Sequence, residues 1–236
     1  MGLPCYLAMT AAEFSSPLPP RVAFMACHFS SSSTGLSNLP EQLPENAMLI
    51  LDDSTPFDGH DPARIRKELE AVIRTHRCEY LLLDLQRPDD AQVAALCRML
   101  TEAIPCPVIV SQCYAKALSC PVLLSPPPLF SQLSDHLAPW QGRELWLEAA
   151  LDRQVVMVTE TGSSQFPCLD TDLPEPWFKE ERLFCRYHWV LEGRTARFTV
   201  MRTKEDLSAM LCAAKDLGVK GAVGLYQELK DPPCCH

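Results

Sequence analysis

The sequence lacks both a membrane-spanning segment and the short motifs of the commonest nucleotide and hydrolase sites. Its apolar runs, such as Tyr80–Leu83 and Pro107–Val110, are far shorter than the roughly 20 residues of a spanning helix. It contains no glycine-rich phosphate loop, no dinucleotide fingerprint and no G-x-S-x-G elbow. The first residues also lack the basic stretch of a signal peptide. We therefore expect a cytoplasmic protein that needs no cofactor.

An excess of positive charge is also missing. The 236 residues include 21 Lys and Arg against 30 Asp and Glu, which gives a formal net charge of −9. Nucleic acids and anionic membranes both attract basic surfaces, so we expect neither as a partner. Hydrophobic residues make up 47% of the chain, which is enough for a sizeable core. Twelve cysteines without an export signal are expected to be thiols in a reducing compartment.

Short apolar runs alternate with helical patterns through the first half of the chain. Near-continuous apolar runs are typical of parallel strands that are buried on both faces. Six runs predict such strands: Tyr6–Thr10, Val22–Phe29, Met48–Leu51, Tyr80–Leu85, Val108–Val110 and Val122–Leu124. A last strand is predicted over Gly221–Leu229, after a helix that ends at Gly218.

Capping residues mark where the intervening helices begin. Asp61 precedes Pro62, and this pair is typical of an N-cap followed by the first helical position. The next helix is expected to begin near Asp89 and Asp90. Strands and helices in this order predict an α/β fold, a (β/α)8 TIM-type barrel of irregular form.

One domain is expected over residues 1–230, followed by a mobile tail over 231–236. The region of about 144–202 breaks the alternating pattern, because its apolar runs come in pairs separated by turn residues such as Asp152-Arg153. We interpret this region as antiparallel hairpins inserted before the last strand.

Polar side chains follow most of the predicted strands. In a parallel barrel the carboxyl ends of the strands meet at one mouth, where catalysis takes place. Aromatic, amide and carboxylate groups together suit a sugar, which presents both apolar faces and hydroxyls. The candidates for this mouth are His28, Asp52, Asp53, Asp84, Gln86, Gln112, Tyr114, Tyr226, Gln227 and Glu228.

Two other interpretations remain open at this point. Asp52, Asp53 and Asp84 could hold a divalent cation in a metal-assisted hydrolase, because hard cations prefer carboxylate oxygens. No His or Glu at characteristic ligand spacing accompanies them, so no metal site is expected. The polar strand ends could also be solvated surface in a non-catalytic interaction protein.

The segment Glu79–Gln86 resembles the fourth-strand signature of family-18 glycoside hydrolases, D-G-x-D-x-D-x-E. Asp84 falls on the last Asp of that signature, and Gln86 falls where the catalytic Glu stands. Leu82 replaces the middle Asp. The segment Gly218–Tyr226 is similar to the family's last helix and strand, where an aromatic residue commonly forms the floor of the sugar site.

The resemblance implies a carbohydrate ligand and a damaged catalytic step. In the family, the Glu protonates the leaving oxygen, and the Asp two residues before it orients the substrate's N-acetyl group. A glutamine amide cannot supply that proton, and loss of a general acid typically costs 10²- to 10⁴-fold in rate. We therefore expect a carbohydrate-binding barrel in which catalysis through Gln86 is impaired, or in which another acid such as Glu228 or Glu160 has taken over.

Overall fold

The structure of the protein, a computed structural model, describes residues 2–14, 17–87, 90–168 and 177–230. Asp89 and the predicted tail 231–236 lie outside the described residues. Eight parallel strands close on themselves, because the first strand pairs with both the second and the eighth. In chain order, the barrel strands are Cys5–Met9, Val22–Phe29, Met48–Asp52, Tyr80–Asp84, Val108–Ser111, Val122–Leu124, Leu145–Ala149 and Gly221–Leu225. The predicted (β/α)8 barrel is thereby confirmed.

The six strands predicted in the first half agree with the structure to within one residue at each end. The eighth strand is shorter than predicted, since it ends at Leu225 and the chain turns into a short helix over Tyr226–Leu229. Leu229 is fully buried against the outer face of the barrel, and this contact favours the turn over a longer strand. The prediction that Tyr226, Gln227 and Glu228 lie on a strand is therefore wrong.

Helices cover the outside of the barrel where the connections are long enough. Asp61 accepts a hydrogen bond from the Ala63 N–H and begins the first helix, and Asp90 begins the second by accepting from two N–H groups. The helices are Pro62–His76, Ala91–Ala103, Gln112–Ala115, Leu133–Leu137, Lys204–Asp216 and Tyr226–Leu229, with 3-10 turns at Ala11–Glu13 and Ala138–Trp140. A two-residue strand, Leu36–Ser37, pairs with the end of the second barrel strand.

The barrel interior is filled by alternate residues of its strands. At the amino-terminal end, the rings of Tyr80 and Trp146 pack with centroids 4.9 Å apart, and Tyr6 lies 5.8 Å from Tyr80. A Cβ at Gly221 would come within 2.4 Å of the Trp146 ring, so only glycine leaves room for that ring. This layer closes the bottom of the barrel, and ligand access is left to the carboxyl ends of the strands.

An antiparallel sheet is inserted between the seventh and eighth barrel strands. Its strands are Arg153–Thr159, Gly162–Pro167, Phe178–Glu180, Cys185–Glu192 and Thr195–Met201. The sequence-based boundary of about 144 is too early, because Leu145–Ala149 pairs in parallel with the sixth and eighth barrel strands. Arg202 anchors the insertion: its buried guanidinium donates to the Pro127 carbonyl at 3.1 Å and contacts Asp152 at 3.4 Å.

Within the described ranges, no helix combines the length and the apolar character needed to cross a bilayer. No disulfide joins the cysteines of those ranges. Several thiols are buried, and burial raises the pKa of Cys97 to about 12 and that of Cys185 to about 11. These cysteines behave as small core residues.

Candidate functional site

Strand alternation brings three carboxylates to the mouth of the barrel. Every second residue of a strand faces the interior, and this series ends at Asp52 in the third strand, Asp84 in the fourth and Glu148 in the seventh. Asp52 and Asp84 are direct partners in the strand register. All three line a cavity of about 100 Å³ above apolar side chains that include Ile50 and Leu82. Among the described residues that line this cavity, none is basic.

Gln86 lies at the rim, directly beside Asp84. Its side-chain amide donates a hydrogen bond to Oδ1 of Asp84. The Gln86 side chain is exposed, and the Cys113 thiol lies 3.7 Å from its Oε1 atom. The structure therefore places together the two residues that carry the family resemblance, at the open end of the barrel.

Asp53 binds the backbone of the two rim residues Gln86 and Arg87. Its carboxylate is buried and accepts hydrogen bonds from the backbone N–H groups of Gln86 at 3.0 Å and Arg87 at 2.8 Å. Asp52 accepts from the Ser54 N–H at 2.8 Å. Through its two hydrogen bonds, Asp53 holds the backbone of the loop that follows the fourth strand. Among the described residues, no group of three or more His, Cys, Asp or Glu could hold a metal ion.

Burial is the main cause of a raised pKa at Asp84. The Gln86 amide lowers that pKa in part, while the charges of Asp52 and Asp53 raise it further. A carboxyl in this setting is protonated more readily than one in water.

Glu148 is the mouth residue that the sequence analysis missed. Burial raises its pKa to about 7, and repulsion from Asp84, Asp152 and Glu228 adds to this effect. Its carboxyl lies at the open mouth and is accessible to solvent, but protein surrounds it on its other sides. A signal was available, because Leu145–Glu148 is an apolar run ending in an acidic residue, like Met48–Asp52 and Tyr80–Asp84.

The three candidates that follow the eighth strand each contact a neighbouring part of the chain. Tyr226 packs against the apolar layer outside the barrel, and Leu225 is the residue of this segment that lines the mouth. Gln227 donates to the Glu13 carboxylate at 2.9 Å. Glu228 accepts from the Leu151 N–H at 3.2 Å. No aromatic ring of the described residues lines the mouth cavity where the resemblance implies a sugar-stacking floor.

The remaining candidates lie around the mouth or beneath it. His28 is the register partner of Asp52, and its Nδ1 atom lies 3.1 Å from the Ala26 carbonyl. Gln112 donates to the Ser125 hydroxyl at 2.9 Å. Tyr114 is buried in the layer between barrel and helices, and its hydroxyl donates to the Arg87 carbonyl. The structure thus brings Asp52, Asp84 and Gln86 together and leaves Tyr114 outside the cavity.

Two solved structures with a similar barrel are chitinases. The class V chitinase of Nicotiana tobaccum, a glutamate-to-glutamine mutant in complex with NAG4, superposes with a TM-score of 0.59 over 95% of this chain and 93% of its own, at 10% identity. The GH18 chitinase of Cycas revoluta, a double mutant that includes a glutamate-to-glutamine change and is in complex with (GlcNAc)4, gives 0.59 over 93% and 94%, at 11% identity. The chain has a glycoside-hydrolase-like fold.

A third solved structure with this fold is a spore cortex-lytic enzyme. The spore cortex-lytic enzyme SleL of Bacillus cereus superposes with a TM-score of 0.59 over 94% of this chain and 70% of its own, at 9% identity. No protein-family profile matches the sequence, and no curated protein matches it either. The glycoside-hydrolase-like barrel is therefore recognised through its structure, since sequence identity to these structural neighbours is only 9–11%.

Proposed function

We propose that the barrel mouth binds an oligosaccharide containing N-acetylglucosamine and that hydrolysis through position 86 is impaired. The observation that carries this proposal is the contact between the Gln86 amide and Asp84 at the open end of a chitinase-like barrel. Two structural neighbours are described as Glu-to-Gln mutants in complex with the tetrasaccharide, which supports retained binding in a barrel with such a change.

The size of the cavity suits part of a sugar. Small-molecule sites usually enclose about 300–1,000 Å³, whereas the closed part of this mouth measures about 100 Å³. A whole pyranose ring therefore rests above the cavity, and a substituent such as an acetamido group enters it. The apolar floor suits the methyl group, and the Asp84 carboxylate suits the amide N–H.

Gln86 gives the mouth a donor and an acceptor but no transferable proton. Because a glutamine side chain has the same shape as glutamate, it preserves hydrogen bonding to a ligand while it removes the acid. We propose on this basis a cytoplasmic carbohydrate-binding protein with weak hydrolytic activity at most. Neither the metal-assisted reaction nor a purely structural role has a comparable observation in its favour.

Calorimetric titration with (GlcNAc)4 tests the proposal. We expect saturable binding, and we expect Asp84→Ala to weaken it about 10- to 100-fold, because a hydrogen bond to a charged group contributes about 1.5–3 kcal/mol. Glu102→Gln, an exposed change on the helix Ala91–Ala103, is the matched control and should bind like the wild type. Absence of binding at millimolar tetramer to a folded wild type would refute the proposal.

A further inference from the structure

We propose that Glu148 is the proton donor of this mouth and that Asp84 is the base that takes the proton from water. The proposal rests on the proposed carbohydrate function, and it replaces the missing acid of position 86 with a residue from another strand. With Glu148 as the acid, the barrel hydrolyses glycosides slowly although Gln86 stands where the fourth-strand signature has its catalytic Glu.

The position of Glu148 fits this role. It belongs to the seventh strand, and Asp84 belongs to the fourth, so the two carboxyls reach the same cavity from different walls of the barrel. In the proposed complex, a sugar that rests over this cavity contacts both carboxyls. Glycoside hydrolases generally work with such a pair of carboxyl groups on either side of the scissile bond.

Glu148 is also the mouth carboxyl that is left available. Asp52 accepts from the Ser54 N–H and Asp84 accepts from the Gln86 amide. Of the neighbouring carboxyls, Glu228 accepts from the Leu151 N–H and Asp152 contacts the Arg202 guanidinium. Within the described ranges, no hydrogen bond or ion pair engages the Glu148 carboxyl. An unengaged carboxyl at the cavity is free to donate to a ligand oxygen.

The electrostatic setting separates the roles of the two groups. Burial is the largest cause that keeps the pKa of Glu148 near 7, and Asp84, Asp152 and Glu228 face it with negative charge. The Arg202 guanidinium contacts Asp152, one of these three carboxyls, at 3.4 Å. At Asp84, burial and the charges of Asp52 and Asp53 raise the pKa, while the Gln86 amide on its Oδ1 atom opposes them. That hydrogen bond is a stabilising contact for the charged form that Glu148 lacks, so we assign the ionised role to Asp84. One protonated and one ionised carboxyl is the arrangement that acid–base hydrolysis requires.

The step balances without any further reactant except water. The Glu148 proton moves to the glycosidic oxygen while the bond from C1 to that oxygen breaks and its electron pair stays on the oxygen. Water adds to C1 and gives its proton to the Asp84 carboxylate. Proton exchange with solvent then returns Asp84 to its ionised form and Glu148 to its protonated form.

The test compares two substrates in wild type, Glu148→Gln and the Glu102→Gln control. With (GlcNAc)4, we expect slow turnover in the wild type, a 10²- to 10⁴-fold loss in Glu148→Gln, and no change in the control. With a 2,4-dinitrophenyl glycoside of the same sugar, we expect Glu148→Gln to keep most of its activity, because this leaving group departs without a proton. A merely structural role of Glu148 would lower both activities alike.

The pH profile of the wild type provides a second measurement that needs no variant. Turnover of (GlcNAc)4 should fall as pH rises above about 7, because Glu148 then loses its proton. Binding of the tetramer without detectable turnover overturns the role of Glu148 and leaves the proposed function standing. Absence of binding refutes both. Wild-type turnover that persists unchanged in a folded Glu148→Gln also overturns the proposal.

Discussion

Replacing Gln86 by glutamate restores an acid at the position where the resemblance expects one. Gln86 is exposed and lies at the rim, so the new carboxyl reaches solvent and ligand alike. The change removes the amide donor from Asp84 and puts a second carboxyl against it. Two carboxyls in contact share a proton, because both cannot ionise easily. The new group is therefore expected to hold a proton well above the usual carboxyl range.

The expected magnitudes favour a measurable gain in activity over a loss of fold. A positioned general acid contributes about 10²- to 10⁴-fold in rate, which corresponds to about 2.7–5.4 kcal/mol of barrier. The stability cost is that of one hydrogen bond at an exposed site, about 0.5–1.5 kcal/mol. A domain with about 5–15 kcal/mol of stability remains folded after such a loss.

The assay follows the cleavage products of (GlcNAc)4 by mass spectrometry at about pH 5 for wild type and Gln86→Glu. Gln92→Glu is the matched control, since it makes the same chemical change at an exposed helix position away from Asp84. A cooperative melt and tetramer binding confirm that each variant is intact. If Gln86→Glu folds and binds but cleaves no faster than the wild type, the reasoning about the lost acid is wrong.

Four further changes test the structure. Leu82→Asp puts a carboxylate into the apolar barrel interior and should lower the unfolding free energy by several kcal/mol in urea titration. Arg202→Met leaves Asp152 and the Pro127 carbonyl without their donor, and should cost about 3–5 kcal/mol in the same titration. Gly221→Ala forces the Trp146 ring to shift and should cost about 1–3 kcal/mol, which a thermal melt detects. The folded-state pKa of Glu148 is raised from 4.5 to about 7, so the native state binds more protons than the unfolded state between these pH values. The melting temperature of the wild type should therefore fall as pH rises through that window. An equally steep fall in the melting temperature of Glu148→Gln would contradict this.

Local pattern determined the elements of the barrel and part of the site. Continuous apolar runs such as Met48–Leu51 and Tyr80–Leu85 predicted the strands, because parallel strands are buried on both faces whatever their neighbours are. The carboxyl groups of Asp52 and Asp84 follow these runs directly. Their convergence with Gln86 at one mouth therefore follows from the sequence once the barrel is assumed.

Long-range pairing decided the rest. The run Leu145–Leu151, followed by Asp152-Arg153, has the local pattern of a hairpin, and only its parallel pairing with the sixth and eighth strands makes it a barrel strand. That pairing aims Glu148 into the mouth. Likewise, the chain turns at Tyr226 because Leu229 packs on the barrel near Gly224, which has no side chain in the way. Sequence periodicity acts over a few residues, whereas the charges that face one another across the mouth are set by which distant strands pair.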